Sequence, residues 1–389
     1  MPENKAAYLI GEKVRPLSVK PAPYPSPASD QLLVRVAAVA VNPIEYIKQD
    51  LGSLLYGWVK FPHVLGSDVA GTVIEVGSDT AATKRFRPGD RVIGQALGSE
   101  KKFNDPAMGA FQHYVLLQAN MTSPIPDSLP FERAAVLPLA LSTASCGLFQ
   151  KDQLALRHPV ASESAAATNE EKTEKEILLI WGGSTSVGCN AIQLARAVGY
   201  DVVTTCSPSN FPLVKSLGAA AAFDYRDPGA AVSGIVRFCR GKKVVGALSI
   251  GGDAGRGCVE VLRQLPTDKD NNRGSGGTRR FLSRVSYPTP PNKDAGLPAR
   301  IWCMLSFSVW LWYQSVRHGI ESNVVIGTTL EGNEVGKAIY EDFLPRALAT
   351  GRFVAAPEAE VVGKELEFVQ IALDRLKKGV SAKKLVVEI

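Results

Sequence analysis

Gly182, Gly183 and Gly188 stand in the stretch ILLIWGGSTSVGCNAIQLARA, residues 177–197, where an apolar run breaks at a glycine pair and resumes in small, helix-forming residues. A strand-to-helix turn of this kind gathers backbone N–H groups at a helix N-terminus, which favours an anion and most often a phosphate. A glycine at 188, in the first turn of the helix, lets helix and sheet pack closely. The spacing departs from G-x-G-x-x-G, because Ser184, Thr185, Ser186 and Val187 lie between the glycines. The hydroxyls of Ser184, Thr185 and Ser186 could donate to a phosphate where the fingerprint offers only backbone. Taken alone, the same stretch also suits a turn with no ligand.

The following strand bears on which nucleotide would bind. NAD-binding folds place Asp or Glu about 20 residues beyond the glycines, where it accepts from the ribose 2′-hydroxyl. Here that strand ends VVTTCSPSN, with Thr205, Cys206 and Ser207 in place of an acid. A carboxylate would repel a 2′-phosphate, whereas Ser207 and Asn210 can donate to one. Lys215 follows on the next helix, and Tyr225 and Arg226 follow the third strand. These residues favour NADPH over NADH, although Lys215 also reads as a plain solvated lysine.

Alternating elements must carry these residues: a strand at 177–181, a helix from about 187, a strand at 201–206, a helix around 209–217, and strands near 221–224 and 244–250. Such alternation implies right-handed crossovers and a doubly wound parallel sheet. The first third is different, with short strands expected in QLLVRVAAVAV (31–41), DVAGTVIEV (68–76), RPGDRVIGQ (87–95) and GAFQHYVLL from Gly109. From Phe131 the spacing becomes helical and is interrupted at Pro138. The last stretch, LEFVQIALDRLKKGVSAKKLVVEI, reads as an amphipathic helix, a glycine turn and a closing strand. Residues 155–176 and 266–277 read as polar surface excursions.

A chain of 389 residues is long for one core, so two domains are expected. Its 44 basic and 38 acidic residues leave a net charge of +6, scattered rather than clustered, which reads as solvated surface and argues against a nucleic-acid partner. The six cysteines (146, 189, 206, 239, 258 and 303) show no CxxC pairing. With no signal peptide before the first strand-like segment, they are expected to be free thiols in a reducing, cytoplasmic setting. Residues 301–316, IWCMLSFSVWLWYQSV, are uncharged but shorter than the roughly 18–20 residues of a membrane span. That segment is expected to be buried or to form an interface, and its aromatic residues Trp302, Phe307, Trp310, Trp312 and Tyr313 leave core packing, a homodimer or a docked partner open.

The motifs VNPIE, GSDVAGTVIEVGSD, RFRPGDRV, GAFQHYV, AAVLPLALSTA, GGSTSVGCNAIQLARAVGY and GVSAKKLVV, in this order, resemble the medium-chain dehydrogenase/reductase superfamily. The similarity is to its zinc-free quinone-reductase and enoyl-reductase branch, which includes fungal trans-acting enoyl reductases and zinc-binding-dehydrogenase-like proteins. The resemblance implies an α/β fold in which a GroES-like β-rich catalytic domain, residues 1–140 and 337–389, is joined to a Rossmann NADPH-binding domain, residues 141–336. It also implies roles for individual residues. Asn42, Pro43, Ile44 and Glu45 would approach the nicotinamide, with Thr143 beside its ring. Ser184, Thr185, Ser186 and Val187, between Gly183 and Gly188, would hold the pyrophosphate, and Ser207, Pro208, Ser209 and Asn210 with Tyr225 would surround the 2′-phosphate. Ile250 and Gly251 would line the nicotinamide pocket, with Ser381 and Ala382 returning to it.

The departures from the family pattern limit the chemistry. Zinc-dependent relatives carry a Cys in the early loop and Gly-His-Glu after it, whereas this chain has NPIE and Gly66-Ser67-Asp68. A catalytic zinc needs three protein ligands, which Asp68 cannot supply alone, and His63 is the nearest of the four histidines. The structural-zinc lobe is replaced by GSEKKFNDPAMG. Alcohol oxidation needs a Lewis acid or strong base. Reduction of an enone, an enoyl thioester or a quinone needs hydride delivery, carbonyl polarisation and a proton. Tyr46 is the first candidate proton donor and Tyr56 the second, with water as a third source. Asn42 and Thr143 complete the expected catalytic set. Two functions follow, a zinc-free NADPH-dependent reductase or a reductase-like subunit docked to a biosynthetic synthase, and a zinc-type alcohol dehydrogenase is the remaining alternative.

Overall fold

The structure, a computed structural model, describes residues 2–159, 176–267, 278–288, 290 and 296–389. Most of the excursion expected at 155–176, and all but its first two residues of that expected at 266–277, lie outside the described residues. The chain divides into two compact units, residues 1–142 with 328–389 and residues 143–327.

The first unit is built from strands β1 (Asn4–Leu9), β2 (Ser18–Ala22), β3 (Gln31–Ala40), β4 (His63–Val64), β5 (Asp68–Val76), β6 (Arg91–Gln95), β7 (Tyr114–Gln118) and β8 (Thr122–Pro124). The C-terminal segment returns to it as β15 (Glu358–Lys364) and β16 (Lys383–Glu388). One sheet runs β2-β1-β4, and a seven-stranded sheet runs β15-β16-β3-β5-β6-β8 with β7 also on β3. In β3, Leu32, Val34, Val36 and Val39 join the core with Val69, Val73, Val92 and Leu117 from neighbouring strands. The amphipathic helix Phe368–Lys378 adds Val369, Ala372 and Leu373, the spacing that gives a helix one apolar face. The register carries a functional consequence: Ala40 lies opposite both Asp68 of β5 and Val386 of β16. Two residues back along β16, Lys384 therefore comes beside Asn42.

The second unit holds β9 (Ile177–Trp181), β10 (Asp201–Thr205), β11 (Ala219–Phe223), β12 (Val244–Ser249), β13 (Phe281–Arg284) and β14 (Glu321–Val324). They form a six-stranded sheet ordered β11-β10-β9-β12-β13-β14, parallel at every pairing. This is the doubly wound order of dinucleotide-binding folds, in which a ligand crevice opens where the strand order reverses, between β9 and β12. Strand β9 is buried throughout, as a strand covered on both faces must be. The segment expected at 301–316 lies within one helix, Leu297–His318, which buries Phe307 and Leu311 against this core.

Candidate functional site

In the second unit, the elements flanking the sheet's reversal carry the glycine turn. Gly182 has φ +99°, and a Cβ on it would lie 2.5 Å from the carbonyl oxygen of Ile250, just past β12. A Cβ on Gly188 would lie 2.3 Å from the Gly182 carbonyl oxygen, so the helix Ser186–Ala197 starts hard against the turn. Thr185 is its N-cap: its Oγ1 accepts from Gly188 N at 3.0 Å and donates to Gly182 O at 2.8 Å. The Thr185 hydroxyl, expected to be available to a phosphate, is thus committed to the turn. The first-turn N–H groups of such a helix have no intrahelical partner and suit an anion.

The end of β10 is tied to the same point. Gly182 N donates to Thr205 Oγ1 at 3.1 Å and Gly183 N to Thr205 O at 2.9 Å. Asn210 Nδ2 lies 3.2 Å from Ser207 Oγ and 3.3 Å from Ser184 Oγ, linking the two loops. Cys206 is buried, Ser207 half-buried, and Pro208 and Ser209 exposed. After β11, Asp224 accepts from Arg226 Nε and Nη2 at 2.7–3.0 Å, and this hydrogen bonding holds its carboxyl below the usual range. Tyr225 and Lys215 are exposed, and Gly251 N donates to Ser286 Oγ at 3.1 Å. Gly182 to Gly188, Ser207 to Asn210 and Ile250 to Gly251 therefore gather at the carboxyl ends of β9, β10 and β12. Thr143 lies in the helix Pro138–Phe149, where a Cβ on Gly327 would come within 2.5 Å of its Oγ1.

In the first unit, Asn42 to Glu45 form a helix cap where a loop was expected. Asn42 caps the helix Pro43–Leu55 with Pro43 at its first position and a capping box to Glu45. Asn42 N donates to Glu45 Oε2 at 2.5 Å, and Ser67 Oγ donates to Glu45 Oε1 at 2.8 Å. Asp68, fully buried, accepts from Asn42 Nδ2 at 2.9 Å and Leu139 N at 2.6 Å and pairs with Lys384 Nζ at 3.0 Å. Lys384 also donates to Asn42 Oδ1. Burial first, then Asp68, raises the Glu45 carboxyl to about 7. This donor set does not fit a zinc ion, because an ammonium already neutralises Asp68, while Asn42 and Ser67 are weak ligands bonded to their neighbours. Among the described residues, no group of three or more His, Cys, Asp or Glu could hold a metal.

Ile44 and Tyr46 are half-buried on the same helix, and Pro43 is exposed. Ser381 is exposed and Ala382 adopts φ +50°, uncommon for a residue with a Cβ, just before Lys384 enters the cluster. Sequence reasoning missed Lys384, Lys48 and the pair His63–Ser99. His63 Nε2 is 3.2 Å from Ser99 Oγ, and burial, followed by Lys48, lowers its imidazole to about 4. His63, just before Val64 and Leu65, was the available local signal.

Residues 28–127 match the model of the alcohol dehydrogenase GroES-like domain. The chain is 45% identical to the dehydrogenase pigH of Monascus ruber over 392 aligned residues, covering 100% of both. It is 35% identical to the trans-enoyl reductase himH of Aspergillus japonicus, covering 99% of this chain and 97% of that one. Among solved structures, a mycobacterial protein complexed with NADPH superposes with a TM-score of 0.63 at 20% identity, covering 99% of this chain and 100% of the other.

Proposed function

The chain belongs to the medium-chain dehydrogenase/reductase superfamily, whose oxidoreductases work with a nicotinamide cofactor, and on that premise we propose that it is an NADPH-dependent, zinc-free reductase of a conjugated C=C bond or a quinone. The observation that carries this reading is the closed cluster Asn42–Asp68–Lys384, in which an internal ammonium stands against the carboxylate that a metal would need. With that site closed, activation of the substrate falls to hydrogen bonds, which suffice for an enone or quinone and not for a simple alcohol.

The residues around Gly182, Gly183 and Gly188 fit a dinucleotide: close backbone approach, a helix N-terminus, and hydroxyl and amide groups at the end of β10. Ser184, Ser186 and Val187 would hold the pyrophosphate, and Ser207 and Asn210 the 2′-phosphate. Bound there, the nicotinamide supplies hydride. The kinship with the trans-enoyl reductase himH supports an enoyl thioester or enone as the substrate class. NADPH consumption by the isolated protein against a panel of enones, enoyl thioesters and quinones tests the reading; turnover of at least one is expected, with NADPH preferred over NADH.

A second reading rests on the helix Leu297–His318. Its residues Trp302, Val309, Trp312 and Val316 are 65–73% exposed, an apolar face that a second copy or a biosynthetic synthase would cover. Stable dimers in sedimentation, or weak turnover rescued by a synthase-bound acyl group, would favour it.

A further inference from the structure

In the second unit, the helix Leu297–His318 and the strands β13 and β14 border a cleft of about 270 Å³. Its helical wall is Ser308, Leu311, Trp312 and Ser315, the i, i+3, i+4, i+7 spacing of one helix face. The sheet contributes Arg284, at the end of β13, and Ser322 of β14, with Ile320 just before that strand. Successive side chains of a strand take opposite faces. Ser283 Oγ donates to Gly147 O at 3.0 Å on one face, while Leu282 joins Phe307 and Leu311 in the core on the other. Arg284 shares the face of Leu282, so the cleft lies across the sheet from Gly147. The guanidinium is half-buried, and its Nε is buried with no hydrogen-bond partner. Burial pushes it below its ordinary range, and among the described residues only the Tyr287 phenol opposes that shift; no carboxylate does. A buried donor left in this state costs free energy until something accepts from it.

We propose that this cleft is a second ligand site, which takes a small monocarboxylic acid with an apolar or aromatic body. The carboxylate lies on Arg284, with the hydroxyls of Ser315 and Ser322 as further donors, and the body packs against Leu311, Ile320 and the Trp312 indole. Charge selects the acid. A guanidinium offers a fork of N–H donors that matches a carboxylate. Among the described residues, no lysine or second arginine bears on Arg284, so one negative charge balances the site and a phosphate dianion does not. Ser308 is the hydroxyl already engaged, donating to Met304 O at 2.8 Å. Volume selects the body: the cleft falls just short of the about 300–1,000 Å³ of pockets for drug-sized ligands. It admits a phenyl ring or a short chain and is too small for a dinucleotide. The site is independent of the reductase reading, because its lining residues all lie in one unit and none belongs to the glycine turn or the end of β10.

The probe is 3-phenylpropanoate, which has no C=C bond conjugated to its carboxyl and so cannot accept hydride there. Calorimetric titration of the whole protein should show saturable binding with a Kd of about 1 mM or tighter. Two independent sites predict that NADPH changes this affinity by no more than about twofold. The uncharged 3-phenylpropanamide should bind at least about tenfold more weakly, as should the acid to Arg284→Met, with Arg284→Lys recovering part of the loss. Phenylglyoxal should modify Arg284 of the native protein, mapped by mass spectrometry, and 3-phenylpropanoate should protect it. That labelling and the amide comparison need no variant, so they decide the matter even where Arg284→Met fails to fold. Absence of saturable binding, equal binding of acid and amide, or binding that leaves Arg284 labelling unchanged would overturn the proposal. Displacement of the acid by NADPH would overturn it too, by putting the acid in the dinucleotide site. Protection of Arg284 in a protein that reduces no enone or quinone would leave this site standing and remove the reductase reading.

Discussion

Replacing Glu45 by glutamine should abolish a pH dependence of stability that the native fold carries between about pH 4.5 and pH 7. The carboxyl is 1% exposed, and burial, reinforced by Asp68, raises it from 4.5 to about 7. A carboxyl whose pKa is higher in the folded than in the unfolded chain favours folding most when protonated. That contribution is complete below the unfolded value and is lost as pH rises through the folded one. The gap from 4.5 to about 7, at about 1.36 kcal/mol per unit, amounts to about 3 kcal/mol. Glutamine retains an oxygen to accept from Asn42 N and carries no charge at any pH. Urea denaturation of both proteins from pH 4.5 to pH 8 should show the stability of Glu45→Gln, relative to native, rising by about 3 kcal/mol across this window. Contributions from other groups, present in both proteins, drop out of the difference. Parallel pH curves would mean instead that the buried carboxyl is compensated at every pH.

His63→Gln should show the opposite window: an imidazole lowered from 6.5 to about 4 makes the native fold lose stability as pH falls through that range, and denaturation at pH 4.5 and pH 7 should show that loss reduced in the variant. Lys384→Met leaves Asp68 buried without its cation and should cost about 3–5 kcal/mol, read as a lowered urea midpoint, whereas Lys384→Arg should recover part of it. Ser207→Asp places a carboxylate where the 2′-phosphate is expected and should weaken NADPH binding by about 1–3 kcal/mol relative to NADH, measured by fluorescence titration of both nucleotides.

The parallel sheet and its glycine turn were legible because backbone sterics write them into residue type: Gly182 sits at φ +99°, and Gly188 meets the carbonyl of Gly182. Strands β9, β10 and β12 announced themselves as apolar runs of strand length, which is what burial on both faces demands. The helix Pro43–Leu55 was not anticipated, although Asn42, Pro43 and Glu45 spell a capping box with proline at the first position. Lys384 and Lys48 were out of reach for another reason. Their surroundings depend on sheet register and on side chains brought together from distant parts of the chain, and neither leaves a local periodicity. The 301–316 segment was read as buried or interfacial; Phe307 and Leu311 are buried, while Trp302 and Trp312 face outward at 73% and 67% exposure. Composition cannot tell the two sides of such a helix apart.

Under the proposed function, the protein delivers hydride to a conjugated acceptor without a metal. NADPH deuterated at the 4R or the 4S position, incubated with the isolated protein and an enone or enoyl thioester, tests it most directly. Deuterium from one of the two cofactors, and only one, should appear at the β-carbon of the reduced product, with the rate unchanged by a strong chelator. Oxidation of simple secondary alcohols with NADP⁺, together with no label transfer to any conjugated alkene or quinone, would contradict the account and return the chain to the alcohol dehydrogenase side of its superfamily.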